Sequence, residues 1–437
     1  MKAGVGEIDI TPPVGGWLLG PLGPSTGVRE RLFARALAVE DGDLTWIIIC
    51  LDLVGFSIEF NNELRTVIRQ CTGVGTVLLN CSHNHSAPFT IPWSYGGWHE
   101  HCREEAGWLD QLRRAIPDLA LHATNSMAPA TLCAGRSPVD VGINRRLDTD
   151  EGIIMAPNPG GPCMPWVDVL GVFRDDRLLA VLFSHAAHPV IVHNSPLICA
   201  DYPGSAAAHI REELGEDVLP LFAQGFGGDI NGHPLRGGHE VAEMVGRRLG
   251  TAAVVALEHS VSLQCSRFRT ASTTLTLQCE QMPSAVECDR EIQEAENRLT
   301  ELEPERRWII EDRICCLREL KGMIVSNNLP SIPLEISLLA CGNEWALLTM
   351  QHELFSEYGL WFNSKFGFRH AMTCAYTNGC EAYIPTDKDL KMGPLGGYEA
   401  SNFPSAKSAG LVYRNRLAPR PGIEGLIKKA VEELVEQ

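Results

Sequence analysis

The sequence lacks any apolar run long enough to cross a bilayer. A spanning helix needs roughly 18–20 apolar residues, and the most hydrophobic stretch, residues 46–56, is broken by Asp52. Positive charge is also scarce: 37 Lys and Arg stand against 54 Asp and Glu, a net charge of -17. Nucleic acid and anionic membrane surfaces repel so acidic a chain, so neither is an expected partner. No segment reads as the strand–turn–helix elbow of a Gly-x-Ser-x-Gly hydrolase, so a serine nucleophile is not expected. The 15 cysteines are scattered from Cys50 to Cys380, without the close, repeated spacing of a zinc ribbon. Such usage predicts reduced thiols rather than a disulfide scaffold. Met1-Lys2 leads straight into a strand-like segment, with no apolar leader core and no cleavage site, which makes the cytoplasm the expected location.

What is present is an ordinary globular balance, 45% hydrophobic and 21% charged, with ample material for a core. Three hairpins are signalled. Asp41-Gly42-Asp43 joins 32–40 to 45–53, Asp175-Asp176 joins 167–174 to 177–184, and Gly342-Asn343 joins 333–341 to 344–350. Single strands are expected at 4–10, 75–81, 219–223 and 369–376. Helices are expected at 57–71, 106–123, 203–214, 238–258 and 423–435. Hairpins interleaved with crossover helices predict an α/β fold, a mixed β-sheet core with flanking helices, rather than an eightfold barrel. No internal repeat is visible. Residues 284–327 stand apart. Their apolar positions alternate three and four apart and break at Glu303-Pro304, which predicts a helical hairpin inserted between strands. It would pack on the body or on a partner copy in a homo-oligomer, or else cover the site as a lid.

Chemistry-bearing residues cluster where strands are expected to end. Ser82-His83-Asn84-His85-Ser86-Ala87-Pro88 follows strand 75–81. In extended backbone, residues two apart point the same way, so His83 and His85 are expected to face one cavity. His185-Ala186-Ala187-His188-Pro189 follows strand 177–184, and the glycine-rich tract from Gln224 to Asn231 follows strand 219–223. Gln351-His352-Glu353 follows strand 344–350, and Asn378 to Thr386, then Gly396-Gly397-Tyr398-Glu399, come after the last strand. Each alone is explained by a polar turn or a cap. Together they place nitrogen and oxygen donors at several strand ends, which suits a metal hydrolase. Zinc takes such ligands and keeps one position open for water, whose pKa it lowers toward about 7.

The order of these motifs resembles the neutral (non-lysosomal) ceramidases and their bacterial relatives. Gly4 to Pro13 is similar to that family's opening strand and Asp-Ile-Thr-Pro turn, and Leu51-Asp52-Leu53 to its second-strand aspartate. Ser82 to Pro88 is similar to its Thr-His-Thr-His-Ser-Gly-Pro motif. Ala187-His188-Pro189, Ala200-Asp201-Tyr202-Pro203-Gly204 and Gln224 to Asn231 resemble the bacterial branch. The resemblance implies a single catalytic domain over 1–437 and a zinc ion held by His83, His188, Glu353 and Tyr383. It also implies that His85 contacts substrate or the oxyanion, that Tyr398 hydrogen-bonds in the site, and that Arg145 of Asn144-Arg145 lies near it. The implied reaction is hydrolysis of an amide by zinc-activated water, with His85 passing a proton to the leaving amine.

Three departures shape the expected substrate. Serine, asparagine and alanine replace threonines and glycine around His83 and His85, and His352 stands where the family has glycine. With Gln437 so soon after the last motif, the family's C-terminal β-sandwich domain is expected to be absent. A small soluble amide is therefore expected alongside a ceramide-like lipid. The alternatives are an esterase or lactonase on the same site, or a non-catalytic metal-binding relative. Trp93, Tyr95, Trp98 and His99-Glu100-His101 are expected to shape the pocket.

Overall fold

Period-two alternation builds the sheets. Within Leu44–Leu51, Trp46, Ile48 and Cys50 face one side and Ile47, Ile49 and Leu51 the other, and all six are buried. A strand covered on both faces shows this pattern. The computed structural model describes residues 1–437 except 22, 89, 91–97, 265–266, 280–282, 303–306, 402–408, 410–412 and 414–416. For 98–106, 308, 309 and 312 it describes the backbone only. Trp93 and Tyr95 therefore lie outside the described residues, as does the break at Glu303-Pro304, and of Trp98 and the His99–His101 cluster only the backbone, in a helix, is described.

One arrangement occurs three times. In the first sheet, β1 (Lys2–Asp9), β2 (Phe33–Asp41) and β3 (Leu44–Leu51) are antiparallel neighbours. Helix α1 (Ile58–Thr72) then crosses over, capped by Ser57, whose side chain accepts the Phe60 N–H. It delivers β4 (Thr76–Cys81) parallel to β3. Helix α2 (Trp98–Asn125) packs beside α1.

The second sheet repeats this with β5 (Thr131–Pro138), β6 (Trp166–Arg174) and β7 (Arg177–His185). Helix α3 (Asp201–Leu214) crosses over to β8 (Leu219–Gln224), parallel to β7, and α4 (His239–Glu258) packs on α3.

The third sheet begins with β9 (Phe268–Gln278) and continues, after helices α5 (Ala285–Leu299) and α6 (Arg307–Val325), with β10 (Ser331–Cys341) and β11 (Trp345–Met350). Helix α7 (Ser356–Lys365) crosses over to β12 (His370–Cys374), parallel to β11, and α8 (Ile423–Glu436) closes the chain. The strand orders match: β4-β3-β2-β1, β8-β7-β6-β5 and β12-β11-β10-β9. This threefold repeat of topology left no repeat in the sequence, because each unit meets only the pattern of buried faces.

Each sheet turns one face to a shared core and the other to its own helices. Trp46 and Ile48 of the first sheet, Leu170 and Leu182 of the second, and Trp345 and Leu347 of the third belong to the shared core. Outside, α1 and α2 cover the first sheet with Leu64, Ile68 and Ile116. Helices α3 and α4 cover the second with Tyr202, Ala206 and Leu249, and α7 and α8 cover the third with Phe362, Ile427 and Val431.

Two of these twelve strands were not anticipated. β9 is rich in serine and threonine, so its alternation carries little hydrophobic contrast. β5 contains Gly135, where a Cβ would lie 2.0 Å from the Ala256 carbonyl oxygen; the residue is small so that α4 can approach. The helical hairpin lies between β9 and β10. It packs Ala295 against Ile310 and Ile314 at its free end and joins the third sheet's core through Cys288 and Leu320. Among the described residues no helix is long and apolar enough to cross a membrane. Twelve described cysteines are not disulfide-bonded, but Cys341 is. The expectation of wholly reduced thiols fails there.

The three units meet at the fully buried Asn80 on β4. Its amide donates to Ala375 O at 2.7 Å and Thr377 Oγ1 at 3.0 Å, just past β12, and its oxygen accepts the Gln224 N–H of β8 at 2.8 Å. Asn80→Leu leaves these groups buried and unpaired, at roughly 1–3 kcal/mol for each group without another partner. A loss of at least about 2 kcal/mol is expected by denaturant unfolding at unchanged slope. A loss below about 0.5 kcal/mol, the scale of ordinary surface substitutions, would refute the hub.

Candidate metal centre

The carboxyl ends of the three parallel strand pairs point to one place, where α/β sheets commonly build sites. His83 lies two residues past β4, His188 three past β7, and Glu353 three past β11. Tyr383 follows β12 and faces Glu353 in a short parallel pairing. All four are buried.

The donor set follows from hydrogen bonding. His83 Nδ1 lies 2.8 Å from Val54 O, and His188 Nδ1 lies 2.8 Å from Gly227 O and 3.0 Å from Ile230 O. A carbonyl only accepts, so each Nδ1 carries the hydrogen, and each neutral ring presents a bare lone pair at Nε2. Both lone pairs aim at Glu353 Oε2, at 3.3 Å from His83 and 2.9 Å from His188. Lone pairs facing a carboxylate repel unless a cation joins them. Burial makes a proton a poor candidate: it pushes His83 down to about 4 and lowers His188 as well. Burial opposes ionisation of Glu353 too, yet the charges that His83 and His188 take up in acid, together with Arg145, hold its carboxyl down to about 2.

The residues therefore fit a metal ion. His83, His85 and His188 offer ligand nitrogens within 4.8 Å of one another, and carbonyl-anchored histidines are the usual outer-shell arrangement. Glu353 is fixed in turn by the Tyr376 hydroxyl at 3.1 Å and by the Tyr413 hydroxyl. Gly228 brings its loop against Glu353, where a Cβ would lie 2.7 Å from the Glu353 carbonyl oxygen.

The other residues of interest take distinct places. The Tyr383 hydroxyl accepts from Arg145 Nη2 at 3.0 Å, and burial pushes its phenol well above the usual range. Arg145 also donates to Glu399 at 2.8 Å and Asn231 at 3.0 Å. The Tyr398 ring lies 5.7 Å from that of Tyr383. The His85 ring sits 5.1 Å from His83 and 6.0 Å from His188, and neither of its nitrogens has a partner among the described residues.

The route to this juxtaposition differs from strand alternation. His83 is left-handed, with φ 63°, so it is not extended backbone. His352 is also left-handed, with φ 73°, a conformation that favours glycine. Its Nε2 bonds Pro333 O at 2.7 Å and its Nδ1 accepts the Glu381 N–H at 3.0 Å, so it shapes the turn. His185 is tied to Trp166 O at 2.9 Å.

Sequence reasoning missed Tyr376 and Tyr413 as site residues, and singled out Glu399 only within its tract, with no role assigned. Tyr376, beside Thr377-Asn378-Gly379, stood next to a turn signal; Tyr413 had none. It also passed over Gly23-Pro24-Ser25-Thr26-Gly27, which matches the letters of the serine elbow. Ser25 there accepts the Gly15 N–H at 2.9 Å, and β2 rather than a helix is the next long element.

Protons and metal compete for the same Nε2 lone pairs, so depressed histidines release metal only in stronger acid. Zinc affinity, measured against a competing chelator, is expected to hold from pH 8 to about 5 and to fall as pH drops toward 4. A fall beginning near 6.5, where ordinary histidines titrate, would contradict this account of the site.

No protein-family model matches the chain, and no curated protein matches it. Among solved structures, neutral ceramidase from Pseudomonas aeruginosa matches with a TM-score of 0.65 at 16% identity, over 95% of this chain and 72% of that chain. A ceramidase complexed with C2 matches with a TM-score of 0.65 at 16% identity, over 95% of this chain and 73% of that one. At this identity the likeness is one of fold: this chain shares its fold with neutral ceramidase.

Proposed function

We propose that this chain is a zinc-dependent hydrolase that cleaves an amide bond, in a small soluble amide or a ceramide-like lipid. The observation that carries the reading is the convergence of two histidine lone pairs on the buried Glu353 carboxylate. The shared fold with neutral ceramidase supports an amide as the bond cleaved. The reading includes one catalytic unit over 1–437 with residues 284–327 as an insertion. Placement in the cytoplasm rests on the free thiols alone.

His83, His188, Glu353 and Tyr383 would hold the ion, which supplies Lewis-acid polarisation and a water acidified to about pKa 7. The chain's own groups divide the remaining work. Tyr376 and Tyr413 hold the Glu353 carboxylate in one orientation. Arg145 holds the Tyr383 phenol, and Glu399 and Asn231 fix Arg145. His85 stands nearest with free nitrogens. Burial holds its pKa well below 6.5, so the ring is neutral, with one N–H and one lone pair. Such a ring can donate to the substrate oxygen, or take a proton at one nitrogen and return it to the leaving amine as the carbon–nitrogen bond breaks. Tyr398, whose ring lies against that of Tyr383, would offer a further hydroxyl to the substrate.

Protein purified without chelator is expected to hold about one zinc per chain. His188→Ala should lose it, together with hydrolysis of N-acyl substrates, while far-ultraviolet dichroism stays unchanged. Wild type that takes up no metal even on zinc addition would remove the assignment. Matched amide and ester substrates separate an amidase from an esterase.

A further inference from the structure

Exposure rises along a line of basic side chains leading out of the metal centre. His83 and His188 are buried, His85 and His193 are half-buried, and Arg236 is exposed. The rings are successive neighbours: His85 lies 6.0 Å from His188, and His193 lies 5.3 Å from His85. Burial, and after it the Arg236 charge, hold the His193 imidazole down to about 4.

Three ring nitrogens along this line are shielded from water and unpaired among the described residues: His85 Nδ1, His85 Nε2 and His193 Nδ1. Buried polar atoms are rarely left so, and such atoms commonly mark a place where a ligand completes the bonding. Whichever tautomer His85 adopts, one of its two free nitrogens carries a hydrogen.

The outer part of the line is built firmly. Asp201 accepts the Val192 N–H at 2.9 Å, which holds the loop beside His193. Gly20 packs on His193 so closely that a Cβ there would lie 2.0 Å from the His193 carbonyl oxygen. Arg236 is anchored by its N–H to Val190 O at 3.2 Å, yet its guanidinium makes no ion pair among the described residues. In a chain of net charge -17, an unpaired arginine behind unpaired imidazoles is a local field for an anion.

We propose that His193 and Arg236, continuing outward from His85, form an anion-binding subsite, and that the substrate is an amide carrying a carboxylate near its scissile bond, of the N-acyl amino acid type. This rests on the amide-hydrolase reading and narrows it. Ceramide-like lipids, which are neutral, would leave Arg236 unused, whereas a substrate carboxylate would meet both the Arg236 charge and the unpaired His193 Nδ1.

The test uses the full-length zinc-loaded chain with N-lauroylglycine and the neutral N-lauroylethanolamine. Wild type is expected to favour the glycine conjugate by about tenfold or more in kcat/KM. Arg236→Gln and His193→Phe should each lose about tenfold more on the glycine conjugate than on the ethanolamine one, chiefly through KM. Equal rates in wild type, or equal losses on both substrates, overturn the subsite and leave the amide hydrolase standing. Calorimetric titration of the same proteins with both conjugates separates the two ideas. If neither conjugate is cleaved but N-lauroylglycine binds about tenfold tighter, and Arg236→Gln abolishes that difference, the subsite holds and the amidase falls. Equal binding of both conjugates overturns the subsite.

Discussion

Asn80 carries more of this architecture than its size suggests. The parallel strands β4, β8 and β12 each stand at the edge of a sheet, and an edge offers unpaired backbone groups. In the interior those groups have no water to turn to. The Asn80 amide supplies both an acceptor and donors, so it satisfies the Gln224 N–H on one side and the Ala375 carbonyl on the other. The meeting is reinforced by Asn378, whose N–H bonds Leu79 O at 2.8 Å and whose side-chain oxygen accepts the Leu79 N–H at 2.9 Å. Three edges close on one another, and their carboxyl ends are thereby held around one small space.

That convergence explains why the residues of the candidate metal centre lie far apart in the chain and close in the fold. His188 and Glu353 occupy corresponding places, just past the third strands of their units, while His83 follows the fourth strand of the first unit. Turning a side chain inward immediately after a strand demands unusual backbone. His83, His352, Tyr376 and Asn378 all have positive φ, between 52° and 73° for the four. Left-handed non-glycine residues cost roughly 1–2 kcal/mol each, and such residues gather where a site must be held in place. The surrounding hydrogen bonds keep them there, as the Val54 carbonyl does for the His83 ring.

The charged groups behind the centre form a second closed system. Arg145 bridges Tyr383, Asn231 and Glu399, while Arg146 pairs with Glu399 and, at 2.9 Å, with Asp389. All of these are buried. Removing one partner would strand another charge out of water, which is far costlier than the net worth of the pair. Glu353 is thus ionised inside a scaffold that already balances its own charge, and it remains available to a cation.

Much of this was legible from residue order alone. Hairpins at Asp41-Gly42-Asp43, Asp175-Asp176 and Gly342-Asn343, the crossover helices, and a mixed α/β core follow from local turn chemistry and from period-two or period-3.6 burial, which act over a few residues. His83, His188 and Glu353 stood out because histidines and carboxylates at strand ends are few. Tertiary structure alone decided the rest. The threefold topology, the closeness of His83, His188 and Glu353, the roles of Tyr376 and Tyr413, and the line from His85 through His193 to Arg236 all depend on distances set by packing between units. Packing selects for buried shape and satisfied polar groups, not for residue identity at a fixed spacing. Sequence therefore determined the elements and the kinds of donor, while the meeting of three sheet edges at Asn80 determined which donors share one space.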